Sequence, residues 1–176
     1  MTEPASVPLG LTPAMIEPLG GVLAGDAVLT VADLAGLGLD ARLVILSACE
    51  TAVPGTMLPE EVIGLPTAML QAGTAGVVGS MWAVLDSRAL LLMAAFCEKW
   101  RGDGLSPADA LRAAQRWMRS TSDGEKFEKF DALRGGTEWL PAETARACWN
   151  ALVLTEPTGR HYADPAGWAA FCYIGC

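Results

Sequence analysis

The chain has 176 residues and a formal net charge of −8, from 12 Lys and Arg against 20 Asp and Glu. This acidic balance argues against a nucleic-acid backbone or an anionic membrane surface as the main partner, because both require clustered basic side chains. The length suits one domain with its own core. At 52% hydrophobic and 18% charged residues the chain is more apolar than an average soluble domain, which predicts buried partner surface.

Cysteine usage and the N-terminus point to a reducing compartment. The five cysteines are odd in number and lack a Cys-x-x-Cys pair, so we expect free thiols with neither a disulfide framework nor a zinc site. The start, MTEPASVPLG, lacks the basic residues and the apolar stretch of a signal peptide. The longest apolar stretch is interrupted by glycines and does not resemble a membrane span. We therefore predict a cytoplasmic protein.

Residues 1–19 carry four prolines and predict a loosely ordered lead-in to a domain over residues 20–176. GGVLAGDAVLT predicts two short strands, and Thr30 with Asp33 begins a short helix. ARLVILS is a continuous apolar run, typical of a strand covered on both faces in a parallel sheet.

LPEEVIGLPTAMLQAG predicts a helix. Pro59 suits its first turn, and Glu60 and Glu61 suit the positive end of the helix dipole. Pro66 would then kink its interior, and Gly73 would end it.

TAGVVGSMW predicts a second buried strand, followed by a helix that Ser87 caps and that runs to about Trp100. Ser106 opens the next helix, SPADALRAAQRWMR. Residues 120–164 give weaker patterns, with helices near residues 125–133 and at AETARACWNAL, and we interpret them as a variable insertion. GWAAFCYIG predicts a last strand. This α/β alternation favours a layered α/β/α domain with right-handed crossovers.

The stretch LVILSACETA places Cys49 where a buried strand ends. In open parallel sheets the working groups lie beyond the carboxyl ends of the strands. A thiol there becomes a nucleophile when a neighbouring group lowers its pKa or accepts its proton. A small buried residue is the alternative, and spacing alone favours that interpretation.

Several blocks, taken in order, carry a family resemblance: LVILSACET, EEVIGL, AGTAGVVGSMWAVLD, LSPADALRAAQ and PAGWAAF. Together they resemble the CHAT domain of the caspase-like clan of cysteine peptidases, from about Val22 to Gly175. The resemblance implies a three-layer caspase-like sheet, Cys49 as nucleophile, and cleavage of a peptide bond in a partner protein without metal or organic cofactor. Family members are often preceded by tetratricopeptide repeats and act in bacterial defence or regulated proteolysis, which predicts a protein substrate or regulatory protein as partner.

The same resemblance implies that Ser80, Met81, Trp82 and Asp86 shape the pocket for the substrate side chain before the cut. An inward carboxylate of Asp86 would favour a basic side chain. The alternative is that Asp86 only helps to cap the following helix, and the residues themselves favour that role.

The chain departs from the family in its histidine. The clan places a His-Gly pair on the strand before the Cys strand, whereas the one histidine here, His161, lies far downstream in GRHYADP. We expect His161 to be a solvated surface residue. The resemblance is then to the C-terminal part of a CHAT domain, with an incomplete sheet of about three long, mostly parallel strands plus a short hairpin. The catalytic histidine would come from another segment, a complementing chain or another copy, and the strand at residues 43–47 would have an unpaired apolar edge.

Three functions remain open from the sequence. The first is a cysteine endopeptidase domain that is inactive without an added histidine. The second is a pseudopeptidase that serves as a protein-binding or scaffold module. The third is a small-molecule binder with Gly73, Gly76 and Gly79 near a phosphate, which is weak because these glycines do not follow a strand into a helix.

Overall fold

A computed structural model of the chain describes residues 22–24, 27–29, 31–46 and 64–175. Its first strands, β1 (Val22–Ala24) and β2 (Ala27–Leu29), pair antiparallel as the predicted hairpin. The predicted lead-in over residues 1–19 lies outside the described residues.

The central sheet of the described residues has the order β3-β4-β5. Its strands are β3 (Val44–Leu46), β4 (Gly76–Ser80) and β5 (Phe171–Gly175). β3 is parallel to β4, as predicted, but β5 runs antiparallel to β4, which corrects the expectation of mostly parallel strands. The chain returns to the carboxyl end of β4, where the backbone N–H of Met81 donates to the carbonyl of Ala170 at 2.7 Å, and it therefore enters β5 from that edge.

Seven helices lie in the described part of the chain: α1 (Val31–Ala35), α2 (Leu65–Gln71), α3 (Asp86–Cys97), α4 (Pro107–Ser120), α5 (Asp123–Ala132), α6 (Ala142–Leu152) and α7 (Pro165–Trp168). A π-helical turn, Glu98–Gly102, extends α3, and a 3-10 turn, His161–Ala163, precedes α7. Together with the strands they make a mixed α/β fold. None of the helices in these ranges is long and apolar enough to cross a membrane.

Helix starts follow local capping chemistry at α4 but not at α3. The Ser106 hydroxyl accepts from the backbone N–H of Asp109 at 3.2 Å, as the sequence predicted. The prediction that Ser87 caps α3 is wrong, because Leu85 is the N-cap and its carbonyl accepts the backbone N–H of Ala89 at 3.1 Å. Ser87 is therefore the second residue of the helix.

The described part of α2 begins at Leu65, so Pro66 lies in the first turn, where its missing N–H costs no hydrogen bond. The predicted kink at Pro66 is wrong for this reason. Gly73 follows the helix with a φ of 104°, in agreement with its predicted role as terminator. Pro59 and the acidic pair Glu60 and Glu61 lie outside the described residues.

The sheet separates two hydrophobic clusters, because Val77 and Val78 point to opposite faces of β4. The face on the Val78 side has the larger cluster, built from α3, α4, α5, α6 and β5. The face on the Val77 side packs α1, α2 and β3 in a smaller cluster. Residues 120–164 contribute several side chains to the larger cluster: Phe130, Leu140, Ala145, Cys148, Leu152 and Tyr162.

Candidate active site

The carboxyl ends of β3 and β4 meet at one edge of the sheet, because the two strands are parallel and Leu46 pairs with Gly79. The chain leaves β3 at Leu46, and Cys49 follows three positions later in the sequence. Cys49 itself lies outside the described residues. The described neighbours of this edge are the segment that follows β4 and the segment that precedes β5.

The four residues predicted to shape a substrate pocket all follow this end of β4. Ser80 is the last residue of β4 and is 2% exposed, so its side chain does not reach the surface. Met81 and Trp82 come next and are exposed. Asp86 is exposed and is the first residue of α3, with Leu85 as the cap, so it provides a carboxylate in the first turn.

The segment before β5 lies against the same carboxyl ends of the strands. The indole N–H of Trp82 donates to the carbonyl of Ala166 at 2.9 Å. The indole N–H of Trp168 donates to the carbonyl of Ala163, also at 2.9 Å, and holds α7 against the 3-10 turn. The amide of Gln115, on α4, donates to the carbonyls of Trp168 and Phe171 at 3.2 and 2.8 Å. These contacts fix residues 161–170 beside the carboxyl end of β4.

Arg88, in the first turn of α3, connects that helix to the same segment. Its guanidinium donates to Asp164 Oδ2 at 3.1 Å and to the carbonyl of His161 at 3.3 Å. Asp164 also caps α7 by accepting the backbone N–H of Ala166 at 3.0 Å. That backbone hydrogen bond, together with Arg88, holds the pKa of Asp164 below its ordinary value.

His161 is exposed, as the sequence predicted, but it also has a buried partner that the sequence did not predict. Its side chain is 63% exposed, yet its Nδ1 lies 2.6 Å from Oδ2 of Asp123, a residue with a fully buried side chain. The backbone N–H of His161 donates to the same oxygen at 3.0 Å. One carboxylate oxygen therefore fixes both the ring and the backbone of His161.

Asp123 is the first residue of α5 and lies beside the fully buried Lys126. The Lys126 ammonium donates to the carbonyl of Thr121 at 2.7 Å. Burial lowers the pKa of Lys126 from its ordinary value, while the carboxylates of Asp123 and Glu125 oppose that shift. Asp123 Oδ1 has no hydrogen-bond partner among the described residues. The acid is thus buried with a nearby cation, one imidazole and one free oxygen.

Reasoning from the sequence missed the pair of His161 and Asp123, which are 38 positions apart. The capping box of Ser122 and Glu125 could have located the start of α5 and thus Asp123 in its first turn. No local pattern indicates which loop the Asp123 side chain faces, because that contact depends on how residues 156–161 fold back over α5.

The other described thiols behave as core residues. Cys97, Cys148 and Cys172 are free, and burial raises the pKa of each, that of Cys148 to about 12. Thiols held protonated in this way are poor nucleophiles. Within the described ranges, no three His, Cys, Asp or Glu side chains are placed to hold a metal ion.

Close packing explains two of the three glycines that the sequence places near a possible phosphate, Gly73 and Gly76. A Cβ at Gly76 would clash with the hydroxyl oxygen of Tyr173, and a Cβ at Gly73 would lie 2.5 Å from the carbonyl oxygen of Leu39. Both contacts are shorter than van der Waals distance, so neither position accepts a side chain without rearrangement. Their conformation and packing account for these two glycines without a ligand.

Comparison with known proteins adds one positive finding. A family model described as the CHAT domain matches residues 12–176. No curated protein sequence matches the chain. The family match includes the SACET block with Cys49, the residues that follow β4, and the segment around His161.

Proposed function

Because the chain belongs to the CHAT domain family, a caspase-like and peptidase-related family, we propose that it is a cysteine endopeptidase domain with Cys49 as nucleophile. One observation of the structure supports this proposal most directly. The strand that leads to Cys49 ends at the same sheet edge as β4, the edge where open α/β sheets hold their working groups. We further propose that the complete arrangement is the three-layer caspase-like one.

In the proposed reaction the Cys49 thiolate attacks the carbonyl carbon of the scissile peptide bond. The tetrahedral intermediate carries an oxyanion that needs backbone N–H donors, and its collapse expels the amine of the leaving peptide. Water then hydrolyses the thioester. Both halves of the reaction need a general base, which also returns a proton to the leaving amine.

We propose that Met81, Trp82 and Asp86 line the pocket for the substrate residue before the cut. Met81 and Trp82 present exposed apolar surface next to the end of β4, and Asp86 presents an exposed carboxylate. Ser80, which is buried, would support this surface from below. A carboxylate beside apolar walls would favour a substrate with Lys or Arg at that position, since both have a long apolar stem and a cationic end.

The second candidate is a catalytically inactive domain that binds proteins as a scaffold. Exposed apolar side chains favour it: Leu154 is 95% exposed, Leu85 is 68% exposed, and Ile45 is exposed on β3. Exposed apolar side chains of this kind mark surfaces that can bind another protein chain. The partner would be a protein substrate, a regulatory protein or another copy of the chain.

A peptide chloromethyl ketone that carries Lys next to the reactive group distinguishes these candidates. A peptidase should be labelled at Cys49 rapidly at pH 6, while an inactive domain should show only the slow labelling of an ordinary thiol, rising toward pH 8.5. The label is located by mass spectrometry of peptides. Cys97→Ser should leave it unchanged, and Cys49→Ala should abolish it.

The specificity proposal is tested by Asp86→Lys. This change should lower the rate of labelling by the Lys probe about 10-fold or more, because it replaces an attraction by a repulsion. The probe with Leu in place of Lys should be affected little. Glu138→Lys makes the same charge change at an exposed position between α5 and α6 and serves as the control. An equal loss in both variants would contradict the role of Asp86.

A further inference from the structure

Two consecutive helices, α4 and α5, present opposite charges to solvent. We propose that these surfaces bind each other between two copies of the chain, the arginine face of one copy against the acidic face of the other. The arginine face is formed by Arg112, Arg116 and Arg119 on α4, and the acidic face by Glu125, Glu128 and Asp131 on α5. This inference does not depend on Cys49 and holds for either proposed function.

The arginine face follows from the helical period. Its residues are four and three positions apart, so they lie on one side of α4, and all three are exposed. The other side of the helix packs into the larger hydrophobic cluster through Ala110, Leu111, Ala114 and Met118. In a chain with 12 Lys and Arg against 20 Asp and Glu, this face is a local exception to the acidic composition.

The acidic face arises in the same way on α5. Its residues are three positions apart, and all three are exposed. The side of α5 that points inward has Asp123, Lys126 and Phe130 as its buried residues. The capping box of Ser122 fixes where the helix begins, and thus which side of it the acidic residues occupy.

The central residue of each face is available to a partner. Within the described part of the chain, Arg116 and Glu128 make neither a hydrogen bond nor an ion pair. No ion pair among the described residues joins α4 to α5 either. The two faces therefore do not neutralise each other within one copy.

The outer residues of the faces have only local partners. Arg112 pairs with Asp109 at 2.9 Å, and Asp131 pairs with Arg134 at 3.1 Å, each within one helical turn. These pairs are exposed, and exposed ion pairs contribute little to stability. Exchanging them for pairs with another copy should therefore cost little.

The two faces also match in length. At 1.5 Å per residue the arginine face extends over about 10 Å and the acidic face over about 9 Å. Two helices that pack side by side have axes about 8–10 Å apart, a distance that Arg and Glu side chains can bridge. Three arginines can thus meet three carboxylates along two helical turns.

Charge explains why a second copy is the partner that fits. The arginine face requires acidic groups spread over two helical turns, and α5 of this same chain provides them. The net charge of −8 makes most other approaches of two copies repulsive, so the arginine face should select the orientation. Because exposed pairs are individually weak, we expect reversible association at high protein concentration.

Sedimentation velocity over a series of protein concentrations, at about 0.1 M salt, measures the association. Arg116→Glu and Glu128→Lys should each lower the association constant about 10-fold or more, because each replaces an attraction by a repulsion. An equimolar mixture of the two variants should restore it, because the two reversed charges then attract each other between copies.

Matched controls carry the same charge changes elsewhere. Arg42→Glu and Asp40→Lys alter exposed positions between α1 and β3 and should leave the association nearly unchanged. A mixture of Arg116→Glu with Asp40→Lys should not restore it. Arg116→Glu and Glu128→Lys each place the reversed charge three or four positions from opposite charges, so both helices should stay folded, as circular dichroism can verify.

Three outcomes would overturn this inference. The first is an unmodified protein that stays monomeric at every concentration, even if it binds a poly-glutamate peptide, since the arginine face would then serve another acidic partner. The second is self-association that neither variant weakens. The third is a mixture of the two variants that associates no better than each variant alone, because Arg116 and Glu128 would then not face each other.

Discussion

The two faces of the central sheet differ in how much hydrophobic core they carry. The Val78 face packs four helices and β5 into one cluster with large side chains such as Phe96, Phe130 and Met118 at its centre. The Val77 face packs two short helices, with Leu34, Leu46 and Met69 as its main buried residues. Because burial of apolar surface is the main stabilising contribution, most of the stability of the described chain should come from the Val78 face.

This difference matters for the proposed chemistry. The Val78 face provides the rigid elements that hold His161, through Asp123 on α5 and Arg88 on α3. On the Val77 face the smaller cluster includes Leu46 of β3, the strand that leads to Cys49. The segment that precedes β5 is therefore held by the more extensively packed part of the molecule, whereas the strand that leads to the proposed nucleophile contributes a side chain to the smaller cluster.

Truncation of core side chains gives the largest expected effect. Phe130→Ala should lower the free energy of unfolding by about 3–5 kcal/mol, because the ring is fully buried and packs edge-on against Trp117. Met69→Ala in the smaller cluster should cost about 2 kcal/mol, at the lower end for such truncations. Urea unfolding followed by circular dichroism measures both. Equal losses would mean that the two faces contribute equally to stability.

A pair of glycine substitutions should give the next largest loss of stability. Gly73→Ala combines a positive φ of 104° with a Cβ only 2.5 Å from the carbonyl oxygen of Leu39, on the Val77 side. Gly104→Ala also has a positive φ, of 71°, but its Cβ meets nothing within 4 Å. We expect Gly104→Ala to lower the free energy of unfolding by about 1 kcal/mol, from the backbone conformation alone. Gly73→Ala should lower it by clearly more.

The difference between these two variants isolates the close contact that joins the end of α2 to residues 36–43. The same urea unfolding measures it. If Gly73→Ala is no more destabilising than Gly104→Ala, then the Val77 face adapts easily and its packing is looser than described.

The last effect is absent at neutral pH, because it is an alkaline pH dependence in the larger core. Burial raises the pKa of Cys148 to about 12, so in the folded protein this thiol stays protonated where an unfolded chain has begun to ionise near pH 9. The stabilisation from this group is complete below pH 9 and is lost as the pH rises through about 12. The loss is at most about 1.4 kcal/mol per pH unit.

The measurement compares the unfolding free energy of the protein and of Cys148→Ala from pH 8 to pH 11 under reducing conditions. The difference between them should narrow above pH 9, because only the unmodified chain has this thiol to ionise on unfolding. A constant difference over that range would show that water reaches Cys148 in the folded core.

Local chemistry made several elements predictable. Ser106, Pro107 and Asp109 specify the start of α4 whatever surrounds it, because the cap is made within one turn. Gly73 ends α2 for an equally local reason. The predicted N-cap of α3 lies two residues too late. Ser87 has the side chain of a typical cap, but the N-cap in the structure is Leu85.

Long-range contacts determine the features that the sequence pattern did not predict. β5 has the composition of a buried strand, but its antiparallel direction depends on the preceding segment, which returns to the carboxyl end of β4. The partner of His161 was not predicted for a related reason. A lone histidine in a polar loop is usually solvated, and only the fold of residues 156–161 over α5 brings it to Asp123.

The sequence by itself determined the family, the helices with strong caps, the apolar strands and the identity of Cys49 as the candidate nucleophile. These properties depend on residue order and on contacts within a few positions. The tertiary structure alone decided the direction of β5, the unequal cores on the two faces of the sheet, and the pairing of His161 with a buried acid. Each of these joins residues far apart in the chain, and such contacts follow from packing and hydrogen bonding that no local pattern encodes.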